Sequence, residues 1–262
     1  MAFPEEGEAQ GYRVLSAPLA RYREVLSCYS DHITGGRQFY RRFFIDMSCG
    51  FNVYMDHFSA KTRSVLRRKR RKLSEYGKVE VLEYRTPVEL EKFIEYAIPL
   101  SRKTYQARLL NSGLPEGQEA HAYMMNLAKE DRVRAFLLFI AGEPVSYLYL
   151  PIENEILYYA YLGYDPALAH LSPGTMLQIE ALERLFYENR YRYFDFTEGE
   201  GAHKALFGTG SVEACSFFLL KPNFRNRILM RSLTAFDETI SVIHWLAEKS
   251  NIYARLRKLL RK

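Results

Sequence analysis

The chain has 262 residues, 48% of them hydrophobic and 15% aromatic, which is enough apolar mass for a packed core and too much for a disordered chain. Its three cysteines, Cys28, Cys49 and Cys215, lie far apart with no C-x-x-C pair and no clustered histidines, which argues against a disulfide framework or a structural zinc and for a reducing compartment. A formal net charge of +6 suits an anionic partner: a phosphate-bearing cofactor, a membrane surface or nucleic acid.

The opening "MAFPEEGEAQ" is acidic and has no apolar run, so no signal peptide is expected. No later run approaches the roughly 18 apolar residues of a membrane span. These features predict a soluble, cytoplasmic protein. Residues 12–57 mix aromatics and charges without clean periodicity and are read as a mostly helical layer. "FSAKTRSVLRRKRRKLSEYG" then predicts a helix capped by Ser59 and stopped by Gly77. "KVEVLEY" follows as a short strand. "TPVELEKFIEYAIPLSRKTYQ" opens with Thr86 as N-cap, Pro87 in the first turn and Glu89 three residues after the cap, the pattern of a capping box. Gly113, Pro115 and Gly117 mark a loop before another helix at about 118–129.

The character then changes. "RVRAFLLFI", "VSYLYLPI" and "EILYYAYLGY" are β-rich runs separated by "AGEP" and "EN", the pattern of a three-strand antiparallel meander. A Ser-Pro-Gly turn, Ser172 to Gly174, starts a long helix whose Leu177, Ile179, Ala181, Leu182, Leu185 and Phe186 share one face. The strand "YRYFDF", a short helix from about Ala202, the strand "EACSFFLLK" and C-terminal helices complete the order. Strand, helix and strand after a meander predict an α/β fold with a mixed sheet and helices on both sides.

The first turn of the Ser-Pro-Gly helix has two readings. Ser172 as cap and Pro173 as first residue merely start a helix, as in many proteins. Alternatively, the amides of Gly174, Thr175 and Met176 present the positive end of the helix dipole to an anion, and Gly174 lacks a side chain that would block it.

The company of this turn favours the second reading. "DFTEGEGAHKALFG" resembles the Asp-Phe-Gly-x-Gly-x-x-x-Tyr-Lys-x-x-Trp-Gly pattern of the CelD-like GNAT acyltransferases, relatives of the Fem-type transferases. The matching residues are Asp195, Phe196, Gly199, Lys204 and Gly208, with Phe207 in place of tryptophan. "YDPALAHLSPGTML" is similar to that family's Tyr-Asp-Pro…Ser-Pro-Gly-x-x-Leu, and "FSAKTRSVLRRKRRKL" to its basic helix. Three departures stand out: Thr197 where the family favours glycine, His203 where it favours tyrosine, and Ala169 and Ser172 in fixed places of the usual pyrophosphate turn.

The resemblance implies a GNAT fold, mostly antiparallel, flanked by helices. It implies a core at 58–221, with helical extensions at 1–57 and 222–262. It implies coenzyme A in acetyl or other acyl form as donor, bound by Ser172, Gly174, Thr175, Met176 and Lys204, and no metal. The acceptor is expected to be an amine, with an amino sugar or a lipid-linked or phosphorylated molecule of polysaccharide synthesis as the reference case. Asp195, set among aromatics, suits either a proton acceptor or a structural acid bonded to the neighbouring loop; His203, the one imidazole of the motif, is a base or a structural residue; Tyr161, on the strand expected to run along the pantetheine arm, is a site residue or cleft wall.

Arg67, Arg68 and Arg71 of the basic helix have two readings, a solvated charged face or a contact for an anionic acceptor, the inner membrane surface or tRNA. The basic, amphipathic "IYARLRKLLRK" at the end of the chain favours the membrane among these. Two other functions fit the same residues. One is Fem-like transfer from aminoacyl-tRNA, against which counts the longer, doubled architecture usual there. The other is a non-catalytic module that binds a membrane or polyanion.

Overall fold

Residues 10–104 and 113–235 are described in the computed structural model. The chain divides into two units, Phe43–Ser211 and a smaller one formed by Met1–Arg42 with Val212–Lys262. It opens with β1 (Gly11–Pro18), α1 (Tyr22–Cys28) and the long β2 (Ile33–Asp46). The mostly helical layer expected over residues 1–57 is therefore corrected. Period-2 alternation was hidden in both strands. The β1 register slips at Ser16, whose φ is 52°, and β2 exposes Arg37, Gln38 and Phe39 in succession.

The larger unit follows the sequence closely. After α2 (Phe51–Asp56) comes α3 (Ala60–Tyr76), capped by the Ser59 hydroxyl, which accepts the Thr62 amide. Beyond β3 (Val79–Tyr84), α4 (Pro87–Lys103) starts with the expected Thr86–Glu89 capping box. Then come α5 (Gln118–Lys129), β4 (Val133–Ile140) and β5 (Glu143–Glu153). The third strand of the meander is broken in two, β6 (Ile156–Tyr158) and β7 (Tyr161–Tyr164). A 3-10 turn over Pro166–Leu171 leads into α6 (Pro173–Glu188), β8 (Tyr193–Asp195) and α7 (Ala202–Phe207).

In this unit β3, β4, β5 and β6 pair antiparallel in that order, and β8 lies parallel to β6 on the far side. The β2 end, Phe44–Asp46, pairs antiparallel with β8. All eight residues of β4 are buried, which identifies it as the centre of the sandwich. Phe136, Leu138 and Ile140 face a core shared with α3 and α6, whereas Val133, Ala135, Leu137 and Phe139 face one shared with α4 and α5. Period-2 alternation on a strand buried on both faces gives two cores and fixes the sheet between two helical layers.

In the smaller unit β1 runs antiparallel to β9 (Gly210–Leu220) over Ala214–Leu220. Tyr40 Oη sits 2.6 Å from Ser16 Oγ and 2.7 Å from Ser216 Oγ, a polar link beside a core of Val14, Ala17, Cys215, Phe217 and Leu219. Residues 224–235 are helical. The tail "IYARLRKLLRK" lies outside the described residues.

Candidate active site

The break between β6 and β7 makes the site. Tyr159 donates its amide to the Asp195 carbonyl at 2.8 Å, which keeps β6 tied to β8. Two residues later the chain has left that partner, and β7 pairs with β5 alone. One edge of β7 therefore faces a cleft of about 560 Å³, with Tyr161, Leu162, Gly163 and Tyr164 all along it. A strand bonded on one edge keeps backbone donors and acceptors on the other.

Opposite that edge stand Phe196, Thr197 and Lys204, while Pro166 and Ala169 of the 3-10 turn form one end. Tyr147, Tyr159 and Thr104 complete the lining. Gly163 has no substitute here, because a Cβ would come within 2.2 Å of the Tyr147 ring. That ring is held by its hydroxyl, 3.0 Å from Ser101 Oγ. Burial raises the pKa of Tyr147, Tyr159 and Tyr161, so these phenols stay protonated at neutral pH and wall the cleft as neutral groups. Tyr161, a sequence candidate, is thus in the cleft.

At the start of α6 the expectation needs revision in detail. Ser172 sits in the left-handed region (φ 57°, ψ 46°) and makes no side-chain cap bond. Pro173 has no N–H, and the Met176 amide is bonded to the Ser172 carbonyl at 3.2 Å. The amides of Gly174 and Thr175 remain for an anion; Met176 itself is buried in the core. Gly174 is glycine for packing: a Cβ would meet Leu162 Cδ2 at 2.9 Å and Tyr164 Cδ1 at 3.1 Å. Its side-chain direction faces β7, and the helix start is pressed against the cleft wall. Asp165 caps the 3-10 turn by accepting the Ala167 amide at 3.0 Å and pairs with Lys103 at 3.0 Å.

Asp195 ends β8, half-buried, with Oδ1 accepting the Thr197 amide at 2.7 Å. That bond bends the chain into the loop before α7, and Lys204 of α7 reaches back so that its Nζ donates to the Glu198 carbonyl. Thr197 has φ 60°, a left-handed conformation that explains why glycine is favoured at this place in the resembled motif. His203 keeps much of its surface open, but its ring leans on Phe207, Phe196 and Tyr159. Its Nε2 lies 2.6 Å from Oε1 of Gln178, a residue with 0% exposure. Burial, then Lys69 and Lys204, lower the His203 pKa, so the imidazole is neutral at pH 7. Gln178 was missed from the sequence. A polar residue on the apolar face of α6 was the available signal, and its Nε2 has no partner among the described residues.

Arg67, Arg68 and Arg71 are exposed on α3 and do not line the cleft. Arg71 pairs with Glu75 at 3.3 Å, and the neighbouring Arg70 ties α3 to α6 through Glu180 at 2.9 Å. Among the described residues no group of histidines, cysteines and carboxylates is arranged to hold a metal.

A split sheet, a one-edged strand along a cleft and a helix starting at its end define a group-transfer domain of the α/β class. The chain belongs to the acetyltransferase (GNAT) domain family, whose model matches residues 60–205, over half its length. No curated protein matches it. Among solved structures it is similar to a domain assigned as the C-terminal part of a lysylphosphatidylglycerol synthetase from Agrobacterium fabrum, at 11% identity and TM-score 0.56, covering 86% of this chain and 72% of that one. L-PGS from Bacillus licheniformis is similar at 12% identity and TM-score 0.54, covering 84% and 71%. A structure of FemX aligns at 11% identity and TM-score 0.53, covering 81% and 73%. At such identities these likenesses concern the fold alone.

Proposed function

We propose that the domain transfers an acyl group, with acetyl as the reference case, from coenzyme A to an amine. The observation that carries this reading is the free edge of β7 along the cleft, which offers backbone hydrogen bonds to the amide-bearing pantetheine arm and a polarising N–H to the thioester carbonyl. Gly174 and Thr175 amides would then meet the pyrophosphate, with Lys204 on the opposite wall. Asp195 would take the proton of the attacking ammonium, with His203, neutral at pH 7, as the second candidate base. Transfer would be direct, within a ternary complex, so that positioning supplies much of the acceleration.

The acceptor would enter past Tyr159, Tyr161 and Tyr164. The aromatic lining suits an amino sugar with a ring face to stack, lipid-linked or phosphorylated. Arg67, Arg68 and Arg71 would serve such an acceptor only from outside the cleft.

A second reading, transfer from aminoacyl-tRNA as in Fem-type enzymes, draws support from the pyrophosphate turn, where Pro173 removes one amide and Met176 has spent another. Calorimetric titration with acetyl-CoA, alone and against aminoacyl-tRNA, tests both. Saturable acetyl-CoA binding that aminoacyl-tRNA does not displace is the expected result. No heat with acetyl-CoA would overturn the first reading.

A further inference from the structure

The helix over residues 224–235 is built the wrong way round for one facing only water. Asn223 caps it, its Oδ1 accepting the Asn226 amide at 2.8 Å, and Asn226 Nδ2 donates to the Lys221 carbonyl at 2.9 Å. Met230, 6% exposed, anchors the inner side against Gly35, where a Cβ would lie 2.6 Å from the Met230 sulfur. At 100° per residue, the direction opposite Asn226 and Met230 is occupied by Phe224 and Ile228, one turn apart. These side chains are 78% and 51% exposed. Arg227 and Arg231 flank the apolar pair on one side and Arg225 on the other, all three exposed. No Asp or Glu occurs between Glu213 and Asp237, so the face carries one sign of charge.

We propose that this face of the smaller unit docks on an anionic lipid surface, with Phe224 and Ile228 entering the acyl boundary and the three arginines reaching the headgroups. An apolar centre rimmed by long cationic side chains is the pattern of a helix lying in a membrane interface. The arginines complement anionic headgroups, which attract each cation near the surface. A protein partner matched to it would need its own acidic rim around an apolar pocket, and a second copy of this chain would bring arginine against arginine. α3 is the poorer candidate, despite its charge. Its exposed residues between Arg67 and Glu75 are all polar, and Tyr76 at its last position is its one exposed large apolar side chain, with no exposed apolar neighbour a turn away to pair with it. Among the described residues no helix is long and apolar enough to cross a bilayer, so the contact is peripheral.

The test uses the full chain and co-sedimentation with vesicles of equal parts phosphatidylcholine and phosphatidylglycerol, with phosphatidylcholine vesicles as reference. Binding to the anionic vesicles, strongly reduced on the neutral ones, is expected. Phe224→Ser with Ile228→Ser should weaken it tenfold or more, since each buried apolar group contributes to partitioning. Both side chains are exposed, so the fold should persist, checked by an unchanged thermal midpoint. Arg225→Ala, Arg227→Ala and Arg231→Ala together should weaken binding more than Arg67→Ala, Arg68→Ala and Arg71→Ala, although both triples remove the same charge. Equal losses from the two triples, or undiminished binding by the Phe224/Ile228 double variant, would overturn the proposal. So would a dimeric wild-type chain that the double variant makes monomeric, because the face would then belong to a second copy.

Discussion

The two ends of α6 are treated in opposite ways. At the C-terminal end Glu188 lies against Arg134, a residue with 0% exposure, with bonds of 2.5 and 3.2 Å from one guanidinium. Arg85 reaches the same carboxylate, and Arg134 also donates to Asp131 at 2.6 Å, which Arg190 in turn contacts. At the N-terminal end, Ser172 leaves its cap unmade, and two amides stay without partners among the described residues. One end is closed on itself, and the other keeps two amides that the proposed function assigns to the donor. A carboxylate is unfavourable at a helix C-terminus, so Glu188 is there for the arginines. The locked end holds the helix on the sheet so that the open end keeps its place beside β7. Under the proposed function, stability and donor binding are drawn from opposite ends of one element.

Breaking the closed end should have the largest effect. Arg134→Met removes the buried cation and leaves Glu188 to Arg85 alone and Asp131 to Arg190 alone, for an expected loss of about 3–5 kcal/mol read from a denaturant midpoint. The pH dependence should change with it. For both acids burial pushes the pKa up, and the arginine contacts outweigh it and hold the carboxyls below their usual range. Depressed folded pKa values mean stability present above the unfolded values, 4.5 for Glu and 3.8 for Asp, and lost as pH falls through the folded ones. The wild type should therefore weaken on acidification below about pH 4.5. The Arg134→Met chain should lose less on acidification, because Glu188 and Asp131 would each keep only one arginine contact. A parallel decline of both proteins would show that the network does not govern the closed end.

At the open end the expected effect is on chemistry. Asp195→Asn keeps the acceptor for the Thr197 amide and removes only the basic carboxylate. Under the proposed function turnover should fall by roughly a hundredfold, with acetyl-CoA affinity nearly unchanged. A variant with full turnover and a lower thermal midpoint would make Asp195 the turn former alone and leave His203 as the base to examine.

Gly174 tests how closely that end is fitted. A side chain there collides with Leu162 and Tyr164 of the cleft wall. Gly174→Val should weaken acetyl-CoA about tenfold or more, equivalent to ~1.4 kcal/mol or more. Because the collision is with β7, some loss of stability should accompany it. Affinity preserved at lower stability would mean the helix start packs the strand without holding the donor.

How much of this was legible depended on what each residue answers to. Local rules spoke clearly: Ser59 and the Thr86–Glu89 box start helices where expected, and the apolar runs of β4 and β5 announced a central hairpin. The motif around Asp195, Lys204 and Ser172 located the region of the cleft. What stayed hidden was long-range. The β6–β7 break depends on Tyr159 choosing Asp195, 36 positions away by number, as its partner. Arg134 was visible as a charge in an apolar strand, but its partner Glu188 lies at the far end of a helix. β1 and β2 were missed because a bulge and an exposed arginine-rich stretch erased the alternation. At Gly174 the close approach of β7 was likewise long-range and invisible in the sequence.

The smallest expected effect lies beside the open end, at Thr197. Its φ of 60° is a conformation that a β-branched residue occupies at a cost of about 1–2 kcal/mol. Glycine removes that cost, but it also gives the unfolded chain more freedom, which takes back roughly 0.5–1 kcal/mol. The Thr197 amide donates to Asp195 Oδ1 through the backbone, so the turn itself survives the substitution. Thr197→Gly should therefore stabilise the chain by at most about 1.5 kcal/mol, the difference between those two terms running from about 0 to 1.5. Because Thr197 lines the cleft, the side chain lost there is also a wall lost, and acetyl-CoA affinity should move by less than about threefold if that wall contributes packing alone. A destabilised Thr197→Gly chain would mean that the threonine side chain makes a contact worth more than its backbone strain. The open end would then be more tightly built than its missing cap suggests.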